Sequence, residues 1–236
     1  MENRKLQLQP RLQMLADLVP AGAKLADVGT DHGYLPVWLL QEGRIRQAIA
    51  SDINLEPLEH ARRTAAEYGV SERMEFRLCA GLDKIRPDET DTIVIAGMGG
   101  ETILSILESA PWSKKSGAFL LLQPMTKAEM LRVWLTDNGY CFTGEHLVFD
   151  KNFLYPIFCV TGGAQEKLTE GEAFGGILLK EDPLYGRYLE QQIRKLQRRI
   201  EGLKRSDNPA SRTEAEHLED LRLGLEKRRE EILCTQ

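Results

Sequence analysis

From Lys24 to about Val160, short apolar runs alternate with segments whose apolar residues recur every three or four positions. Short runs of this kind suit buried strands and the longer period suits helices, so the stretch reads as successive βαβ units around a largely parallel sheet. The expected strands are Lys24–Val28, Gln47–Asp52, Met74–Leu78, Thr92–Ala96, Phe119–Gln123, Cys141–Phe149 and Leu154–Thr161, and the expected helices are Leu35–Gln41, Glu56–Tyr68, Glu101–Glu108 and Ala128–Asn138. Only Asp150-Lys151-Asn152 separates the last two strands, a turn signal that predicts an antiparallel hairpin at one sheet edge.

After Thr161 the pattern changes. Gly162, Gly163, Gly171, Gly175 and Gly176 among polar residues read as a linker. Beyond Pro183, Leu189, Ile193, Leu196, Ile200 and Leu203 form a heptad-like seam, broken at Asn208-Pro209. Ser211 and Glu214 have capping-box spacing, and Leu218, Leu221, Leu225 and Ile232 continue a second seam that Arg228 interrupts. The expected architecture is α/β: a seven-stranded Rossmann-like domain over residues 1–161, then a linker and a coiled-coil-like antiparallel helical hairpin over 162–236.

At 236 residues with 42% hydrophobic content the chain can bury a sizeable core. No segment reaches bilayer-spanning length and the first residues lack an apolar signal core, so a cytoplasmic protein is expected. Cys79, Cys141, Cys159 and Cys234 are too scattered for a zinc site or a disulfide framework, the first three reading as core-strand residues. His60, His146 and His217 read as surface or helix-face residues without partners. The net charge of −5 argues against a protein that merely coats nucleic acid, yet Arg187–Arg205 carries a local excess of five positive charges. That asymmetry suits a surface for a polyanion, with Arg187, Arg194, Lys195, Arg198 and Arg199 as its candidates; a packing or dimerisation hairpin is the other reading.

The chemistry lies at strand ends. Leu25-Ala-Asp-Val-Gly-Thr-Asp-His-Gly33 turns from a buried strand into a helix; Gly29 and Gly33 let the backbone approach a ligand, and the helix start offers free N–H groups to a carboxylate. The G-x-x-x-G spacing and the acids Asp27 and Asp31 disfavour a pyrophosphate, whereas Asp27 suits the ammonium of a methionyl group. Asp52 ends the next strand some twenty residues on, the place for an acid that holds ribose hydroxyls, although a helix-capping aspartate is the plainer alternative. The fourth strand ends in Gly97-Met98-Gly99-Gly100, a small-residue loop against which an acceptor base would lie.

These residues carry a resemblance. Asp27-Val-Gly-Thr-Asp-His-Gly-Tyr-Leu-Pro36, Ile95-Ala-Gly-Met-Gly-Gly100, Gln123-Pro124 with Trp134, and Asp182-Pro183-Leu184 resemble the bacterial tRNA (adenine-22-N1)-methyltransferase family over nearly the whole chain. The resemblance implies methylation of N1 of a D-arm adenine in tRNA, with S-adenosyl-L-methionine as cofactor and no metal. It implies cofactor contacts from Asp27, Gly29, Thr30, Asp31, His32, Gly33, Asp52, Ile53, Gly81, Leu82, Ala96, Gly97 and Met98. Where the family commonly has an acid, this chain has Ala80.

N1 of adenine is already a lone-pair nucleophile, so orientation matters more than a strong base. Asp31 is the candidate to stabilise the cationic product ring, with His32 as base or orienting donor, Tyr34 to stack on a flipped adenine, and Gln123 to read its edge. A monomer is favoured. The alternatives are a small-molecule or protein methyltransferase of this fold and a non-catalytic RNA-binding adaptor.

Overall fold

The computed structural model describes residues 5–234. Seven strands form one sheet: β1 (Lys24–Val28), β2 (Gln47–Asp52), β3 (Met74–Leu78), β4 (Thr92–Gly99), β5 (Phe119–Thr126), β6 (Tyr140–Asp150) and β7 (Phe153–Gly162). Their spatial order is β3-β2-β1-β4-β5-β7-β6. The first five are parallel, and β7 runs antiparallel to both β5 and β6. The order reverses between β1 and β4, which opens a crevice at the carboxyl ends of those two strands.

Eight helices cover the described sheet and tail: α1 (Pro10–Leu18), α2 (Tyr34–Gln41), α3 (Leu55–Glu67), α4 (Gly100–Ser109), α5 (Ala128–Asp137), α6 (Glu170–Gly175), α7 (Tyr185–Lys204) and α8 (Pro209–Leu233). One apolar layer joins Leu15 of α1, Val37 and Leu39 of α2 and Ala65 of α3 to the sheet residues Leu25, Ala48 and Val94. The other joins Ile103 and Leu107 of α4 and Leu131 and Leu135 of α5 to Ile93, Ile95 and Leu120. A third core holds α7 and α8 together through Leu189, Ile193, Leu196 and Ile200 against Ala215, Leu218, Leu221 and Leu225, and it reaches the sheet at Leu147 and Leu154.

Several local expectations give way. The glycine-rich linker contains α6, whose Thr169 accepts from the Glu172 backbone N–H while the Glu172 carboxylate accepts from that of Thr169. The expected box at Ser211 and Glu214 does not form. Helix α8 starts at Pro209, whose fixed φ suits a first helical position, and Asn208 caps it by accepting from the Ala210 N–H at 3.0 Å. Arg228 breaks the α8 seam because its guanidinium turns to the carbonyls of Gly171 and Gly176 around α6, both at 3.4 Å. Cys79 and Cys159 are buried but Cys79 lies just past β3, and Cys141 is only partly covered. Among the described residues no helix is long and apolar enough to cross a membrane.

Arg132 of α5 is wholly buried and joins the two halves. Its Nε donates to Glu145 at 2.7 Å, Nη1 to the Ala173 carbonyl at 2.7 Å and Nη2 to the Tyr188 hydroxyl at 3.1 Å, while the guanidinium lies 4.7 Å from the centre of the Phe158 ring. The other Glu145 oxygen accepts the N–H groups of Ile177 and Leu178. One buried ion pair thus ties β6, α5, α6 and α7 together.

Candidate active site

The loops after β1 and β4 meet in one cleft. Gly29 has φ +75°, and a Cβ there would stand 2.0 Å from Cε of Met98, so the first loop rests directly on the second. The expected loop at Gly97 is a bulge in a longer strand: pairing with β5 resumes at Met98–Pro124 and Gly99–Thr126 after a register shift. The bulged residue has φ +79°, which favours glycine, and loses its ladder partner. Its N–H donates instead to the side-chain oxygen of Gln123 at 3.1 Å. That oxygen also accepts from Nη1 of Arg11 at 2.9 Å, and the amide nitrogen of Gln123 donates to the Pro124 carbonyl at 3.3 Å. Gln123 is fully buried and engaged at both ends of its amide, so its side chain braces the bulge.

Arg11 went unnoticed in the sequence because it precedes every strand, on a helix whose period is brief. Its Nε lies 3.6 Å from Asp150 at the tip of the β6–β7 hairpin, so one guanidinium spans from β5 to that tip.

Asp27 is buried at the end of β1 and accepts from the Thr30 hydroxyl at 2.6 Å. Burial pushes its carboxyl up to about 6, the Thr30 hydrogen bond opposes the rise, and the nearby Asp52 carboxylate adds to it. A buried carboxylate whose hydrogen-bond donor is a neutral hydroxyl is chemically suited to an ammonium group. Asp52 is half-buried at the end of β2 and accepts from the Asn54 N–H at 2.8 Å, with Asn54 itself in the cap position of α3. Beside it Ile53 and Leu78 expose large apolar surfaces, while Ala80 is exposed and Gly81 and Leu82 close the turn.

On the open side of the β1 loop three rings stack. His32 lies 4.8 Å from His60 at 7° between planes and 5.1 Å from Tyr34 at 11°. His60, expected to stand alone, is thus the inner end of a ladder, because α3 passes directly beneath the loop. His217 also has a partner: its Nε2 is 2.7 Å from Glu170. Asp31 is exposed, 3.6 Å from Nε2 of His32. Asp31, His32 and His60 approach one another closely enough to suggest a cation site. The parallel rings work against it, since an ion in the plane of one imidazole lies out of the plane of the other.

The basic residues of α7 divide. Arg187, Arg194, Lys195 and Arg198 line one groove of about 750 Å³ together with Pro124 and Met125 of β5 and Phe153 and Tyr155 of β7. Arg199 does not; it pairs with Glu214 of α8.

Comparison with known proteins bears on this geometry. A family described as "Methyltransferase domain" matches residues 8–158. The tRNA (adenine(22)-N(1))-methyltransferase of Bacillus subtilis is 32% identical over 188 residues, 80% of this chain and 77% of the relative. A Streptococcus pneumoniae protein crystallised with S-adenosyl-L-methionine superposes with a TM-score of 0.82 at 29% identity, covering 94% of this chain and 99% of that one. The M. capricolum protein TrmK, crystallised with S-adenosyl-homocysteine, superposes with a TM-score of 0.80 at 25% identity over 95% and 99% of the two chains.

Proposed function

Because the chain belongs to the tRNA (adenine-22-N1)-methyltransferase family, we propose that it methylates N1 of adenine 22 in the D-arm of tRNA, using S-adenosyl-L-methionine in the cytoplasm. The observation that carries this reading is the contact of the Gly29 loop with Met98, which brings the carboxyl ends of β1 and β4 into one cleft.

Bound S-adenosyl-L-methionine supplies a methyl group on a sulfonium whose departure leaves a neutral thioether. The residues present fit it. Asp27 would accept from its ammonium, and Thr30 holds that carboxylate in place. Asp52 would take the ribose hydroxyls, and the apolar side chain of Ile53 would cover the cofactor adenine. The start of α2 at Gly33 would face the methionyl carboxylate, with Gly81, Leu82 and Ala96 walling the seat.

On the acceptor side, Arg11 and Gln123 fix the Gly97 bulge against which the target base lies, and Gln123 acts as a positioning residue. The target adenine stacks on Tyr34, a residue 40% exposed at the outer end of the His60–His32–Tyr34 ladder. No base needs to remove a proton, because N1 presents a lone pair. The product ring is cationic, and Asp31 at the mouth of the loop is the carboxylate that faces its charge. The phosphates of the substrate lie on Arg187, Arg194, Lys195 and Arg198.

Asp31→Asn in single-turnover assays at saturating tRNA and cofactor should lower methyl transfer about tenfold, less than the roughly hundredfold or more of a buried electrostatic contact because Asp31 is exposed to solvent. A wild-type rate with normal cofactor affinity would remove Asp31 from the mechanism.

A further inference from the structure

The sheet splits at the carboxyl end of β5. Strand β7 pairs with β5 only at Phe158–Val160 opposite Leu120–Leu122, whereas β6 and β7 stay paired out to Asp150 and Phe153. Beyond Leu122, therefore, β5 and the hairpin diverge. The gap is the groove of about 750 Å³ between them, walled by the basic face of α7. Its near end is Pro124, one residue along β5 from the Gln123 that braces the Gly97 bulge.

The far end is built to present a ring. Lys151 and Asn152 have φ values of 46° and 73°, the two-residue turn whose twist matches a hairpin, and this turn fixes the first residue of β7. That residue is Phe153, 57% exposed, with the Tyr155 ring 6.4 Å away. Leaving a phenylalanine more than half exposed forgoes much of the burial that an aromatic side chain ordinarily gains. Within reach are guanidinium groups: Arg187 lies over the Phe149 ring at 5.0 Å, and Arg194 and Arg198 are exposed on α7. The acids in the groove, Glu129 and Glu190, are already paired with Lys195 and Arg194. An exposed aromatic face beside unspent positive charge is the chemistry that holds unpaired RNA, the base on the ring and the phosphates on the cations.

We propose that this groove seats a second, unpaired nucleobase of the RNA substrate, stacked on Phe153 with its adjoining phosphates on Arg187 and Arg198. The proposal rests on the reading of the chain as a tRNA methyltransferase. It answers a requirement of that chemistry: N1 lies on the pairing edge of adenine, so the helix must be held open while the ring is methylated, and a platform beside the cleft holds a neighbouring or vacated base.

The test compares Phe153→Ala, Phe153→Leu and Phe153→Tyr in steady-state methylation of an unmodified tRNA transcript, with cofactor affinity measured by calorimetry. Loss of one stacked base predicts a KM for tRNA raised at least about fivefold in the alanine and leucine variants. Tyrosine keeps the aromatic face and should stay within about twofold of wild type, and all three should bind S-adenosyl-L-methionine as the wild type does. An alanine variant within twofold of wild type, or a leucine variant indistinguishable from it, overturns the platform while leaving the methyltransferase reading intact. If the wild-type protein methylates no tRNA transcript, the parent reading fails and takes the platform with it.

Discussion

At the scale of single residues, Asp27 carries the sharpest consequence. Burial pushes its folded-state carboxyl up to about 6 from 3.8, so at neutral pH the group is ionised at a cost that the unfolded chain does not bear. The sign follows: the folded protein is disfavoured by the ionised carboxylate above about pH 6, and this penalty fades as pH falls toward 3.8. A shift of about two units corresponds to at most roughly 3 kcal/mol. Asp27→Asn should therefore stabilise the cofactor-free protein at neutral pH by up to that amount in urea denaturation, while weakening S-adenosyl-L-methionine at least about tenfold in calorimetry. A variant that is less stable and binds normally would refute the ammonium role. In the wild type, cofactor affinity should fall as pH drops below about 6. That Asp27, Gly29, Asp52 and Gly97 lie at strand ends around one crevice was legible, because strand-end position follows from the apolar runs. Arg11 and the bracing role of Gln123 were not, because a bulge that consumes a side-chain amide is a property of two paired strands.

Among the elements, all seven strands appear where the apolar runs place them, since a core strand must be apolar and short. Helices α1 and α6 escaped notice for opposite reasons. The first is a nine-residue helix with a weak apolar stripe, and the second hides in glycine-rich sequence with only Thr169 and Glu172 to mark it. Nothing in the sequence pairs Arg132 with Glu145, thirteen residues on, yet this wholly buried pair fixes α7 against the sheet. Arg132→Met strands the Glu145 carboxylate in the core, and a loss of about 3–5 kcal/mol in chemical denaturation is expected. A loss below about 1 kcal/mol would mean that α7 is held by its apolar contacts alone.

For the molecule as a whole, the charge asymmetry read from the chain falls on one groove, but which side of α7 faces it depends on a strand order that periodicity does not encode. Four of the five expected RNA contacts line that groove, and Arg199 turns to α8. Replacing Arg187, Arg194, Lys195 and Arg198 together with glutamine should raise the KM for tRNA and reduce the salt dependence of binding by roughly three units of log–log slope, about 0.7 to 0.9 per phosphate contact. An unchanged salt dependence would reassign the helix to packing.

On the proposed function, a methyl donor and an adenine meet where the Gly29 loop touches Met98. Incubating the protein with isotopically labelled S-adenosyl-L-methionine and an unmodified tRNA transcript, then locating the label, tests it most directly. The label should appear as N1-methyladenine at position 22, and no label should appear when that adenine is replaced by guanine. Label on another nucleoside, or in no RNA at all, would contradict it.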